Sequence, residues 1–346
     1  MKKTATLAAV GLLAAALTVP AGPAAADEDC SNPHCYGMVD YNTGNITAVG
    51  VDLWTDCLHV DTPSTNSAVH QMWMWTSAPP ATWIETGYIR GGVAGGDPED
   101  WFRWYWAEAP GGGTYYSHFI EYASVNQWKN VSFYKNFNNT WGVYLGGSYK
   151  GTTAQTATYG VHVQVGAETS TPLVYSHGKS KLLQWRQPSD TWVWGSPSAY
   201  GGTAGVYSVT ASGTEMEQTS LQRMCSTPLA AKRATAKAPT TADLKKAALA
   251  VASQYGEKTP TDVQVVTTTR KAAQRAVGAG DKVDTDQATY LVQMKGTFTG
   301  RAPKGATLPH GNTMTVTVDA KTGEVTDTSL GNTRQDLKKL GAVKAL

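Results

Sequence analysis

The chain has 346 residues, of which 41% are hydrophobic, 10% aromatic and 16% charged, with 35 Gly and 16 Pro. That mixture can bury a core and excludes a disordered or fibrous chain. The net charge of +2 hides a split: residues 27–229 hold 9 Lys+Arg against 17 Asp+Glu, and residues 230–346 hold 18 against 10. All 12 Trp lie between Trp54 and Trp194, so the acidic half is also the aromatic one, which has the wrong sign for binding nucleic acid.

Residues 1–26 read as a secretory signal. Lys2 and Lys3 precede the apolar run Ala5 to Val19, and Ala24-Ala25-Ala26 offers a small-residue cleavage site before Asp27. No later stretch approaches the ~18 apolar residues of a membrane span, so the expected protein is secreted, with no membrane partner. Four cysteines (Cys30, Cys35, Cys57, Cys225) in an oxidising compartment predict disulfides. Cys225 is expected to pair with a cysteine near the start of the front unit.

From 27 to 229 the pattern is that of short strands. Runs at Trp73 to Trp75, Trp83 to Ile89, Trp101 to Trp106, Leu182 to Gln187 and Val206 to Thr210 are separated by Gly and Pro clusters. Ser132 to Lys135 and Trp141 to Leu145 flank a hairpin loop. Val161 to Glu168 alternates, with valines on one face and His162, Gln164 and Glu168 on the other. The reading is mainly β: an antiparallel jelly-roll sandwich over 27–229.

Ala230 to Thr241 is a basic, linker-like stretch, and 230–240 is taken as the linker. Thr241-Ala242-Asp243 reads as a cap on a helix from Leu244 to Tyr255 that stops at Gly256. Strands follow at Val263 to Thr268, Ala288 to Lys295, Met314 to Val318 and Val325 to Thr328, the last two joined by a tight hairpin at Asp319 to Glu324. The second unit, 241–332, is therefore a small α+β domain with one helix on a curved sheet, followed by a tail at 333–346. Its hairpin resembles that of the PepSY and cystatin-like modules, and the resemblance implies a regulatory or binding accessory. The opposite charges of the two halves predict weak intramolecular docking of the rear unit on the front one, and a rear unit lying over a cleft would inhibit it.

No His-Glu-x-x-His, Cys-x-x-Cys, EF-hand, P-loop or nucleophile-elbow pattern is present, so neither a metal nor a cofactor is expected. What stands out is a pair of glutamates. Glu85 sits in Trp83-Ile84-Glu85-Thr86-Gly87-Tyr88, where period two puts Trp83, Glu85 and Gly87 on one face. Glu168 ends the Val161 strand, opposite the valines. A carboxylate in an aromatic strand costs desolvation energy unless it is paired, bonded or protonated.

These residues resemble the glutamic peptidases. Glu85-Thr86-Gly87 is similar to the Gln-Thr-Gly strand of the fungal members, with Trp101 to Trp106 similar to the aromatic stretch that follows. In the plant neprosin branch the first residue is Glu, and the second follows a glycine pair, as Glu168 follows Gly166-Ala167. Tyr88 stands where the plant branch has Trp, and Ala167 interrupts the glycine pair. The resemblance implies a jelly-roll fold, a peptide or protein substrate and a catalytic pair made of Glu85 and Glu168. Independently of the family, two close carboxylates hold one proton between them. Glu168 is assigned to water activation and Glu85 to polarising the carbonyl, with the opposite assignment open. The pair predicts an acid optimum near about pH 3–5. Trp83 and Trp104 are candidates to line the cleft, and Gln164 and His162 to orient Glu168. A retaining glycosidase or a carbohydrate- or surface-binding module would present similar features.

Overall fold

The computed structural model describes residues 30, 34–60, 66–77, 82–91, 102–171, 175–203, 206–221, 238–278, 280–283 and 286–346. The expected signal segment, most of the linker, Trp101 and Cys225 lie outside them. The chain is mainly antiparallel β. In its first part the strands are β1 (Cys35–Tyr41), β2 (Ala48–Thr55), β3 (Leu58–His59), β4 (Ser67–Thr76), β5 (Thr82–Gly91), β6 (Phe102–Gly111), β7 (Thr114–Tyr122), β8 (Gln127–Lys135), β9 (Trp141–Leu145) and β10 (Ser148–Thr152). Then come β11 (Gly160–Thr169), β12 (Tyr175–Arg186), β13 (Trp192–Trp194), β14 (Ala199–Gly202), β15 (Tyr207–Ser212) and β16 (Glu215–Ser220). The rear part holds α1 (Thr241–Gln254), β17 (Thr261–Thr269), α2 (Arg270–Val277), β18 (Ala288–Thr299), β19 (His310–Asp319), β20 (Val325–Gly331) and β21 (Val343–Ala345).

Two sheets form. The larger has twelve strands in the order β14-β1-β11-β4-β5-β6-β7-β20-β19-β18-β17-β21, and the smaller has nine, including β10-β9-β8-β2-β12-β16-β15. Between them lies a core of Val49, Val51, Met72, Ile84, Tyr88, Trp104, Phe133, Val163 and Val165, the inward residues of each alternating strand. A second core covers the other face of the large sheet. It runs unbroken from Trp73, Trp83 and Tyr105 of the front strands to Val251, Met294 and Val318 of the rear part.

The two parts join through main-chain pairing of β20 with β7, Asp327 opposite His118 and Leu330 opposite Tyr115. Helix α1 lies against the second core with Leu244, Ala247, Ala248, Val251 and Ala252, the spacing of an amphipathic helix. Its cap is Thr240, one residue earlier than the sequence suggests, closed by a capping box with Asp243. The rear part also holds a second helix, α2, which ends at Gly278 with φ +76°, and residues expected as a tail add β21 to the edge of β17. Cys30 and Cys35 form one disulfide, and Cys57 is also disulfide-bonded. No helix among the described residues is long and apolar enough to cross a membrane.

Candidate active site

The face of the large sheet that meets α1 and the rear strands carries both glutamates. On β5, Ile84 and Tyr88 enter the sandwich core while Trp83 and Ile89 enter the second core. Glu85 lies between these last two in the alternation and shares their face. On β11, Val163 and Val165 face the sandwich, leaving Gln164 and Glu168 on the opposite side. Strand β4 runs between, with Glu85 opposite Trp73 and Glu168 opposite Val69. Gln71 stands between these positions on the same face.

Both carboxylates are shut away from solvent, at 0% exposure for Glu85 and 2% for Glu168. Each has its own partners. Tyr115 donates its hydroxyl to Glu85 Oε1 at 2.5 Å and Tyr105 does so at 3.4 Å. Gln71 donates its Nε2–H to Glu168 Oε2 at 3.2 Å. His34 Nδ1 lies 2.8 Å from Glu168 Oε1, an ion-pair distance without the alignment of a hydrogen bond. Glu85 Oε2 makes no bond of hydrogen-bond geometry to a protein atom, although the Trp83 indole also interacts with this carboxylate and lowers its pKa. Burial pushes the Glu85 pKa above its ordinary 4.5; Arg301 pulls against this, Glu168's charge adds to it, and the Tyr115 bond opposes it. The two carboxylates do not bond each other, so the expected shared proton is not held in a direct hydrogen bond. Burial favours the protonated form of Glu85, and the nearby charge of Glu168 acts in the same direction.

A third buried glutamate shows what a structural one looks like. Glu108 accepts the backbone N–H of Ala154 at 2.7 Å and of Gln155 at 3.1 Å. Both its oxygens are thereby used in tying down a loop. The orphaned oxygen of Glu85 is the contrast.

Of the other expected site residues, Trp83 lies on the face of the pair, 2% exposed. Gln164 lies there too, but its Nε2 donates to Asp40 at 2.8 Å and to the carbonyl of Lys304 at 3.2 Å, not to Glu168. His162 likewise bonds Asp40, at 2.9 Å. Trp104 is corrected: it pairs with Tyr88 on β5 and sits in the sandwich core, on the side of the sheet away from Glu85. The residue of β6 that faces the pair is its neighbour Tyr105. Gln71 was legible in principle, being a polar residue in an apolar alternating strand, the signal that singled out Glu85.

Arg301, in the loop between β18 and β19, also reaches this face. Its guanidinium stands 5.2 Å from the centre of the Tyr105 ring, and its Nη1 is buried without a partner. A second polar cluster lies at the β7–β20 seam. There His118, Asp281 and Asp327 bring three potential ligand atoms within 4.8 Å of one another. The positive charge among them is Arg270, whose Nη2 lies 2.6 Å from Asp281 and 2.9 Å from Asp327.

No family model matches the chain and no curated protein matches it. Among solved structures, a scytalido-glutamic peptidase with a transition-state analogue inhibitor is similar at 10% identity and a TM-score of 0.40, over 54% of this chain and 98% of that one. SCP-B, a member of the eqolisin family of peptidases in complex with the tripeptide Ala-Ile-His, gives 9% and 0.35 over 54% and 98%. A GlcNAcα1-4Gal releasing endo-β-galactosidase from Clostridium perfringens gives 7% and 0.25 over 84% and 70%.

Proposed function

We propose that the chain is a secreted, acid-acting peptidase in which Glu168 activates water and Glu85, protonated, polarises the scissile carbonyl. One observation carries the reading. Two buried carboxylates occupy one sheet face, each with one oxygen that accepts no hydrogen bond, Glu85 with a raised pKa and Glu168 oriented by an amide donor. Glu168 takes a proton from water as the hydroxide attacks the carbonyl carbon, and Glu85 gives its proton to the carbonyl oxygen. As the C–N bond breaks, Glu168 passes its proton to the leaving amine. The new carboxyl group returns the other proton to Glu85, so water's parts end on the two products and the enzyme is regenerated. Tyr115, bonded to Glu85, and Gln71, bonded to Glu168, hold the two groups in place. The sequence likeness of Glu85-Thr86-Gly87 and Gly166-Ala167-Glu168 to the glutamic peptidases supports the same assignment.

The test is hydrolysis of denatured casein near pH 4, with xylan and glucan in parallel, by the wild type and by Glu168→Gln and Glu85→Gln. Peptide release that is lost in Glu168→Gln supports the assignment. Glycan cleavage instead would turn it toward a glycosidase, and unchanged proteolysis in Glu168→Gln would refute it.

A second reading, glycan binding, is favoured by the outer face of the nine-stranded sheet. Tyr134 stands 6.3 Å from Trp192 and 5.3 Å from Tyr144, which stands 5.6 Å from Tyr149. Trp192 and Trp194 are 42% and 58% exposed. Such a row of rings is an uncommon use of surface unless it meets a flat partner. Co-sedimentation with insoluble polysaccharide, lost in Trp192→Ala, would support it.

A further inference from the structure

A pair of carboxylates that cleaves polypeptides must be reached by one, and here it is covered. The covering segment is the loop of residues 300–309, which links β18 and β19 where Thr299 pairs with His310. Its neck is closed by the Gly300 N–H bonding the Pro309 carbonyl at 2.8 Å. Beyond the neck the chain crosses the face of the pair. Tyr36, which stands opposite Glu168 on β1, donates its hydroxyl to the Ala302 carbonyl at 2.8 Å. Gln164, four residues before Glu168 and on the same face of β11, donates to the Lys304 carbonyl at 3.2 Å. Ala302 is fully buried. Arg301 lies over the Tyr105 ring, and the charges of both glutamates act on it.

We propose that this loop is a built-in inhibitor lying along the substrate path, with Arg301 seated against the glutamate pair and Tyr36 and Gln164 holding its carbonyls as they would hold a substrate's. The inference rests on the peptidase reading above and adds its regulation and two positioning residues. Three features carry it. The contacts from the front part fall on main-chain carbonyls, which every peptide offers, so the donors suit a substrate as well as this loop. The side chain brought to the pair is a cation, the charge an ionised Glu168 attracts, and its unpartnered Nη1 is buried at the site. The loop links two paired strands of the sheet, so its withdrawal would give up the packing of Ala302, Ala306 and Leu308 on the core while leaving the β18–β19 ladder paired.

Being part of the same chain, the loop acts at an effective concentration of the order of millimolar. A segment with an intrinsic dissociation constant of about 0.1 mM would then hold the rate down about tenfold. The experiment compares three full-length proteins on denatured casein near pH 4. They are the wild type, Arg301→Ala, and a variant in which Asn-Gly replaces residues 301–308. Both variants are expected to work about tenfold faster or better, and a synthetic peptide of residues 299–306 is expected to inhibit the shortened one. Equal rates, all abolished by Glu168→Gln, would overturn the inhibitor while leaving the peptidase. Loss of activity in Arg301→Ala would overturn it too, by placing Arg301 among the catalytic groups. If none of the proteins cleaves any substrate, the peptidase reading fails and the loop is judged by binding. A fluorescent 299–306 peptide should bind the shortened variant and not the wild type, and no difference between them would overturn the proposal.

Discussion

In the proposed reaction Glu85 is the acid, and opposing influences set its proton affinity. Burial pushes its pKa up, Arg301 pulls it down, Glu168 raises it, and the Tyr115 bond lowers it. The Trp83 indole lowers it as well, and removing any one of these lowering influences should raise it further. Arg301→Ala and Tyr115→Phe are therefore both expected to keep Glu85 protonated to higher pH, moving the alkaline limb of the pH–rate profile upward. A downward or absent shift in both would show that Glu85 is not the acid. Glu85 was legible in the sequence because it interrupts an apolar, aromatic strand, and Glu168 because it ends an alternating strand on the face opposite the valines, within a motif similar to that of the glutamic peptidases. Trp104 misled because β6 is aromatic on both faces, Trp104 and Trp106 on one and Tyr105 on the other, so alternation alone gave no direction. Tyr36, His34 and Arg301 were not legible: each meets the pair across long stretches of chain, through contacts with no local periodicity.

At the scale of single elements, the strands explain why glycine follows Glu85-Thr86. A Cβ on Gly87 would lie 2.2 Å from the His70 carbonyl oxygen and 2.5 Å from the Cα and Cβ of Gln71. The glycine lets Gln71 lie close to β5 while its amide reaches Glu168. Gly87→Ala should force β4 away, costing roughly 1–3 kcal/mol as overpacking does. It should also lower kcat, because the donor to Glu168 moves. Thermal unfolding and casein hydrolysis would check the two effects, and an unchanged midpoint would show that β4 has slack at Gln71. Strand positions in both halves were legible from alternation and turn residues. Helix α2 was not, since its eight residues are too few to establish a period beside the β-branched run before it.

At the scale of the whole molecule, one sheet passes from the front strands to the rear ones through the β7–β20 seam, and the cluster there controls how firmly it closes. Burial alone would raise the Asp327 pKa, but Arg270's charge and the His118 bond bring it below the ordinary 3.8. Asp281, beside it, is pushed up to about 6 by burial and by the charge of Asp327. A depressed carboxylate contributes stability above its unfolded pKa and loses it as pH falls through the folded one. The contribution of Asp327 should therefore hold above about pH 3.8 and fade below it. Asp281 has the opposite sign: its raised pKa disfavours the folded state at neutral pH, and that cost shrinks as pH falls from about 6 toward the ordinary 3.8. Asp327→Asn removes one of the two carboxylates on the buried Arg270 but leaves Asp281 paired with it at 2.6 Å, so the cost should fall below the roughly 3–5 kcal/mol of an uncompensated buried charge. Hydrogen exchange at β7 and β20 should then quicken at neutral pH, whereas exchange as slow as in the wild type would show that main-chain pairing alone holds the seam. The charge split pointed to two differently composed halves, but one continuous sheet could not be read from it, because strand pairing between distant segments leaves no mark on composition.

The most direct measurement of the central claim is mass-spectrometric mapping of the peptides released from denatured casein near pH 4. It would use the loop-shortened protein with Glu168 intact and with Glu168→Gln. New peptide termini are expected with the first, and a rate about 10²–10⁴-fold lower with the second, the range for losing a general base. The same peptides at the same rate from both proteins would contradict the claim.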